Sequence, residues 1–192
     1  MAVQYLISIV IFALFVLSVL TRAAMLRRQG IRAIVFGVTH KTDFIIIPCA
    51  LALIYLVIAP AFNWPVFHIL IQRFWTSDTP GWAGLAVSIT ALVFFVYTLV
   101  CFGISFRVGI DESKPSPLVT NGAFAISRNP IYVCFILFFA GLFLVYCNIV
   151  TAVILVAIIP LVHRQILREE RFLTDFYGDE YREYHKKVRR YL

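Results

Sequence analysis

Residues 131–162 read IYVCFILFFAGLFLVYCNIVTAVILVAIIPLV and contain no charged side chain. The main interruption of this apolar run is the Cys147-Asn148 step near its middle. At 1.5 Å per residue, helices over 131–146 and 149–162 would be about 24 and about 21 Å long, which is short for a hydrocarbon core of about 30 Å. We therefore predict a short helical hairpin, which returns the chain to the side of the membrane that it left.

Three further apolar runs precede this hairpin, at residues 3–20, 44–62 and 83–104. Of the 192 residues, 61% are hydrophobic and only 14% are charged, whereas about a quarter of the residues in a soluble domain are charged. The sequence thus predicts an all-α integral membrane protein with about five transmembrane helices. We expect residues 1–192 to form a single membrane domain that ends in amphipathic cytosolic helices.

The distribution of basic residues predicts the orientation. The five spans place residues 22–43, 104–130 and 163–192 on one side of the membrane, and of the 17 Lys and Arg residues only Arg73 lies on the other side. Cytoplasmic loops carry the excess of Lys and Arg, so we expect a cytoplasmic C-terminus, an outer N-terminus and a location in the cell inner membrane. The net charge of +7 then reflects topology and attraction to anionic lipid. We expect no nucleic-acid partner.

Several function classes lack their usual sequence features. No Asp, Glu, Lys or Arg lies within the five apolar runs, which argues against ion pumps and proton-coupled transporters. The four histidines have no spacing typical of a metal site, and we expect no metal. No Gly-x-Gly motif is present, so a nucleotide-like cofactor would have to bind through a different architecture.

Residues 105–130 form a connector that leads into the hairpin through Arg128-Asn129-Pro130. Asn129 is a good helix N-cap, which can accept hydrogen bonds from the first-turn amides, and Pro130 suits the first helical position. The helix start beside Arg128 is therefore a candidate site for a carboxylate or phosphate. The alternative is a capped helix whose arginine reaches to lipid phosphate.

Residues 163–192 form an amphipathic segment that contains an adjacent acidic pair, Glu169 and Glu170. The simplest interpretation is a helix lying on the bilayer, followed by a second short helix over 179–188. An anionic membrane surface would repel the acidic pair, however. The pair therefore favours a cationic or amine-bearing ligand.

The two segments together resemble a known superfamily. The ordered set Gly122-x-Phe124-x-x-x-Arg128-Asn129-Pro130-x-Tyr132, a short hairpin, and Glu169-Glu170-x-x-Leu173-x-x-x-Tyr177-Gly178-x-x-Tyr181-x-x-Tyr184 is similar to the isoprenylcysteine carboxyl methyltransferase and phospholipid methyltransferase superfamily. The resemblance covers roughly residues 103–190. It implies an S-adenosylmethionine cofactor that is bound between segments 105–130 and 163–192. The cofactor-binding residues that it implies are Val119, Gly122, Phe124, Arg128, Asn129, Pro130, Tyr132, Glu169 and Glu170.

The resemblance also implies a reaction, which is methyl transfer at the cytosolic membrane face to a lipid-like or prenylated acceptor. O-methylation of a carboxylate is the first expectation, with Arg164 or Arg168 orienting the acceptor. N-methylation of an amine is the second, with a Glu such as Glu170, or a Tyr, as the base. Two other functions remain open at this point. One is a non-enzymatic membrane subunit that binds lipid or a partner protein, and the other is an NADPH-dependent membrane reductase. The sequence identifies no protein partner.

Overall fold

The computed structural model describes residues 2–28, 68–103 and 117–192, together with Tyr55, Ala59 and Trp64. Within these residues the regular structure is helical, apart from one isolated antiparallel bridge between Arg73 and Asn148. The predicted all-α class is confirmed. The helices are α1 (Ala2–Arg28), α2 (His68–Ile71), α3 (Thr79–Phe102), α4 (Ala123–Ile126), α5 (Pro130–Tyr146), α6 (Ile149–Tyr177) and α7 (Asp179–Lys187).

Three of these helices are long and apolar enough to cross a membrane: Val3–Arg28, Thr79–Phe102 and Ile149–Tyr177. The shorter apolar helix α5 lies beside them. The chain is therefore an integral membrane protein. Apart from Tyr55 and Ala59, the predicted span 44–62 lies outside the residues that the structure describes, and so do the connector residues 105–116.

Helix α3 packs most extensively against α5, and α1 packs against both. The α3–α5 crossing depends on glycines, because a Cβ atom at Gly84 would lie 2.5 Å from the carbonyl oxygen of Gly141. Small residues at such a crossing let two backbones approach closely within a membrane. Near the crossing, the ring of Phe15 stacks on Phe95 and Phe138, with centroid distances of 4.2 and 4.7 Å. Stacked aromatic rings thus join α1, α3 and α5.

Two polar residues of α1 face this helical bundle. The Gln4 side chain is buried, and its Nε2 donates to the carbonyl oxygen of Asp78 at 2.9 Å. Ser8 is also buried, and its hydroxyl shares a hydrogen bond with the Tyr146 hydroxyl at 2.9 Å. A polar group without a partner is costly in an apolar environment, so these bonds fix the orientation of α1 about its own axis.

The hairpin turn between α5 and α6 consists of Cys147 and Asn148. Cys147 has a left-handed backbone conformation with φ 50°, and Asn148 forms a reciprocal capping box with Thr151. The predicted span 149–162 is the first half of a longer helix, because α6 continues without a break to Tyr177. No glycine lies between Asn148 and Gly178, and Gly178 ends the helix with φ 57°.

Candidate functional site

The carboxylate of Glu170 lies at the centre of a buried polar cluster in the C-terminal part of α6. Its Oε1 accepts a hydrogen bond from Asn129 Nδ2 at 3.1 Å and lies 3.3 Å from Arg128 Nη2. Arg190 pairs with the same carboxylate from the other side, with Nη2 at 2.8 Å from Oε2 and Nε within 3.2 Å of both oxygens. Two guanidinium groups therefore share one carboxylate, and we call Arg128, Asn129, Glu170 and Arg190 the Glu170 cluster.

The C-terminal segment, residues 188–192, completes this cluster through its backbone as well as its side chains. The Arg128 amide donates to the carbonyl oxygen of Arg189 at 2.9 Å. The carbonyl oxygen of Arg190 accepts from Ser127 Oγ at 3.1 Å and from Asn129 Nδ2 at 3.2 Å. Three parts of the chain that are distant in sequence thus converge on one site.

Arg128 is the more deeply buried of the two arginines, with 5% of its side chain exposed against 33% for Arg190. Its Nε is buried and has no hydrogen-bond partner within the described residues. A buried guanidinium donor without a partner is costly, and buried polar groups in proteins are nearly always paired. The Arg128 Nε can therefore donate a hydrogen bond to one more acceptor.

Glu169 has a different environment from its neighbour Glu170. Its Oε1 accepts from the Tyr132 hydroxyl at 2.5 Å and from Gln165 Nε2 at 3.3 Å. Both of these partners are neutral, and Glu169 has no ion-pair partner in the part of the chain that the structure describes. Within the adjacent acidic pair, the Glu170 carboxylate is thus paired with arginines, and the Glu169 carboxylate has neutral hydrogen-bond partners.

Val119, Gly122 and Phe124, which the resemblance assigns to the cofactor, belong to the apolar layer under this site. Val119 and Phe124 pack against Tyr181 and Tyr184 of α7. The backbone at Gly122 has φ 59°, and a Cβ atom there would lie 2.5 Å from the Cys101 sulfur. Only glycine satisfies both conditions without strain.

The α7 tyrosines support the site as neutral groups. The Tyr184 hydroxyl donates to the Phe124 carbonyl oxygen at 2.6 Å. Burial raises the pKa of Tyr181 to about 12 and also raises the pKa of Tyr184. Both hydroxyls therefore remain protonated at neutral pH, and neither is a ready base.

The expectation that the Asn129 side chain caps α5 was wrong. Asn129 occupies the N-cap position and Pro130 the first turn, but the Asn129 side chain makes no capping hydrogen bond. Its Nδ2 donates instead to Glu170 and to the Arg190 carbonyl oxygen. A carboxylate is a stronger acceptor than a neutral group, so the side chain turns toward α6.

Arg164 and Arg168, the arginines expected to orient an acceptor, lie elsewhere on α6. The Arg164 side chain is exposed, and Arg168 is half-buried. At 3.6 residues per turn, Arg168 lies about 200° around the helix axis from Glu170. The structure therefore does not bring either arginine into the Glu170 cluster.

A cavity of about 450 Å³ opens beside the cluster. Its walls include Glu170 and Arg190, with Thr174 and Asp175 from α6 and His185 from α7. Its volume lies within the range of about 300–1,000 Å³ that is typical of small-molecule sites. Glu170 and Arg190 are thus the members of the cluster that line this cavity.

Comparison with known proteins identifies the family. The family model described as phospholipid methyltransferase matches residues 80–180. This match covers α3, the hairpin and most of the polar cluster. The chain belongs to the phospholipid methyltransferase family.

Curated relatives of this chain are named as isoprenylcysteine O-methyltransferases. The chain is 29% identical over 126 residues to protein-S-isoprenylcysteine O-methyltransferase A of Arabidopsis thaliana, with 64% of this chain and 62% of that protein covered. It is 33% identical over 82 residues to protein-S-isoprenylcysteine O-methyltransferase of Schizosaccharomyces pombe, with 42% and 35% covered. The chain thus spans less than two thirds of the length of either relative. No solved structure matches the chain significantly.

Arg190 is the functional-site residue that the sequence analysis missed. It lies beyond the last element of the motif, in a short run of basic residues that begins at Lys186. Basic residues near a membrane protein's cytoplasmic end have a general explanation in topology. The only local signal was the basic character of this run, and the contact with Glu170 depends on the tertiary fold.

Asn129→Asp tests the donor role of Asn129 in this cluster. The change keeps the shape of the side chain but replaces two donated hydrogen bonds with a negative charge beside Glu170. We expect a loss of about 2–4 kcal/mol in unfolding free energy at pH 7, since two hydrogen bonds are lost and like charges meet. Unfolding in detergent micelles measures this loss.

The matched control is Asn121→Asp, because Asn121 is exposed and the change in charge is the same. We expect this control to be within about 0.5 kcal/mol of the unchanged protein. Equal stability for the two variants would show that the Asn129 side chain does not hold the cluster together.

Proposed function

We propose that this protein is an S-adenosylmethionine-dependent methyltransferase that acts at the cytosolic membrane face on an acceptor with an apolar tail. The observation that carries the proposal is that the site offers one positively charged and one negatively charged side chain for a ligand. Arg128 has an unused buried donor, and Glu169 has a carboxylate with neutral partners only. Family membership and the names of the relatives support the same activity.

The residues present fit the amino-acid end of S-adenosylmethionine, which has a carboxylate and an ammonium group. The free Arg128 Nε suits the carboxylate, because charge-assisted hydrogen bonds from arginine to a carboxylate are strong. The Glu169 carboxylate suits the ammonium group or the positively charged sulfur. We assign the cofactor to the face between residues 117–132 and α6, with Val119, Gly122 and Phe124 shaping its apolar floor.

The cofactor would supply a methyl group that is already activated by the sulfonium charge. The protein's contribution is then to hold the acceptor in line and to exclude water. Glu169 stabilises the bound positive charge, and the Tyr132 hydroxyl holds the Glu169 carboxylate in place through its hydrogen bond. Glu170 is occupied by two arginines and Asn129, so we assign it an organising role rather than the role of a base.

The acceptor is proposed to be an amphiphile that enters from the bilayer. The apolar runs contain no charged side chain. A long apolar tail can therefore lie against the membrane helices while a reactive head group reaches the cytosolic site. For a carboxylate head, Arg164 or Arg168 remains the proposed partner. For an amine head, Glu169 is the carboxylate that is available to take the proton, since its partners are neutral. Carboxylate O-methylation agrees with the relatives' names.

We further propose that the site faces the cytoplasm of a cell whose inner membrane holds the protein, with the N-terminus outside. The basic residues at two helix ends support this orientation, because Lys and Arg are enriched on the cytoplasmic side. The last turn of α1 contains Arg27 and Arg28, and the last turn of α7 contains His185, Lys186 and Lys187. Cysteines introduced at positions 28 and 187 should therefore react with the same impermeant reagent from the cytoplasmic side only. Labelling of the two positions from opposite sides would contradict the orientation.

The cofactor assignment predicts that Arg128→Gln and Glu169→Gln each weaken S-adenosylmethionine binding. Each change removes one charge-assisted contact, so affinity should fall about tenfold to a hundredfold. The measurement is the cofactor's effect on the unfolding temperature in detergent, with NADPH as a parallel ligand. Stabilisation by NADPH alone would instead support a membrane reductase, and stabilisation by neither would support a non-enzymatic subunit.

Arg182→Gln and Glu183→Gln are the matched controls for these charge changes. Arg182 and Glu183 are exposed on α7, where they pair with Asp179 and Lys186 at the surface. We expect both controls to bind S-adenosylmethionine as the unchanged protein does. A similar loss of affinity in the controls would show that net charge, and not the site, determines binding.

A further inference from the structure

Arg190 makes the closest contacts in the Glu170 cluster. Its Nη2 lies 2.8 Å from Glu170 Oε2, and its Nε donates to Oε2 at 3.1 Å and to Oε1 at 3.2 Å. Arg128 contacts the same carboxylate through a single 3.3 Å approach. The carboxylate is therefore paired mainly with Arg190 and only weakly with Arg128.

Because Glu170 pairs mainly with Arg190, the positive charge of Arg128 is available to an anionic ligand. The hydrogen bonds from Arg190 to Glu170 also raise the pKa of Arg190. Arginine side chains remain charged in proteins, so both residues are cations. The two arginines and one glutamate carry one net positive charge, and the unused donor belongs to Arg128. If Arg190 were absent, Glu170 would have Arg128 as its only cationic partner in the cluster.

We propose that Arg190 is a positioning residue for an anion site at Arg128: by pairing with Glu170, it keeps that carboxylate from neutralising Arg128. The C-terminal segment is then part of the functional site, because its backbone bonds to Ser127, Arg128 and Asn129 fix where Arg190 lies. The inference rests on the proposed function in one respect, which is that the anion is the carboxylate of S-adenosylmethionine.

A double variant separates the positioning role of Arg190 from direct contact between Arg190 and the ligand. Arg190→Gln leaves Glu170 to pair with Arg128, so the anion site loses its free charge. Removing the Glu170 charge as well, in the double variant Arg190→Gln/Glu170→Gln, restores the net positive charge at Arg128. Direct contact between Arg190 and the ligand would make the double variant no better than the single variant. A purely structural role would instead lower the unfolding free energy of Arg190→Gln together with its affinity, since Glu170 loses a partner.

The experiment measures S-adenosylmethionine affinity for the full-length protein in detergent. We expect Arg190→Gln to lose about tenfold to a hundredfold, the equivalent of one charge-assisted contact. We expect the double variant to recover at least about tenfold of this loss. Arg189→Gln is the matched control, since the Arg189 side chain is exposed and only its backbone contacts Arg128, and it should bind normally.

Two outcomes would overturn the inference: unchanged affinity in Arg190→Gln, or a double variant that binds as weakly as the single one. If Arg190→Gln does not fold, the double variant is compared with the unchanged protein, because it removes the two opposite charges together. Affinity within about tenfold then supports the inference, and a loss of about a hundredfold overturns it.

Failure of the proposed function can be distinguished from failure of the role proposed for Arg190. If the unchanged protein does not bind S-adenosylmethionine, that proposal is wrong, and inorganic sulfate becomes the anion probe for the same variants. Stabilisation by sulfate in the unchanged protein and the double variant, but not in Arg190→Gln, would still support an anion site that Arg190 positions. Equal stabilisation of all variants would overturn it.

Discussion

The buried carboxylate of Glu170 joins the three parts of the chain that form the site. It connects α6 to the residues before α5 and to the C-terminal segment. A buried ion pair is expensive to break on one side, since loss of a single partner leaves an uncompensated charge and costs about 3–5 kcal/mol. These residues therefore form an interdependent unit, and a change at one member alters the electrostatic state of the others.

The membrane helices determine where this unit can form. Helices α5 and α6 run antiparallel from the two-residue turn at Cys147 and Asn148, which brings the start of α5 beside the C-terminal part of α6. The close α3–α5 crossing at Gly84 and Gly141 holds that hairpin in the bundle. A rigid apolar scaffold thus carries a polar site at its edge.

The sequence predicted those features that depend on local composition and order. The apolar runs predicted the helical class, and the motif residues from Arg128 to Tyr132 and the pair Glu169 and Glu170 were brought together as expected. Local reasoning could not tell that the Asn129 side chain would prefer a carboxylate to its own helix, or that the two glutamates would differ. It also could not identify Arg190, because that contact crosses twenty residues and depends on how α7 folds back.

The most direct test of the account is the transfer of a labelled methyl group from S-adenosylmethionine to an amphiphilic acceptor by the protein in lipid vesicles. A prenylated thiol acid and an amine-headed phospholipid would each be compared with the same head group without its tail. We expect label in a tailed acceptor and higher turnover than with the free head group at saturation, because binding energy from the tail holds the head at the site. We also expect loss of transfer in Arg128→Gln. Cofactor binding without transfer to any tailed acceptor, or equal turnover on the tailless head groups, would contradict the account.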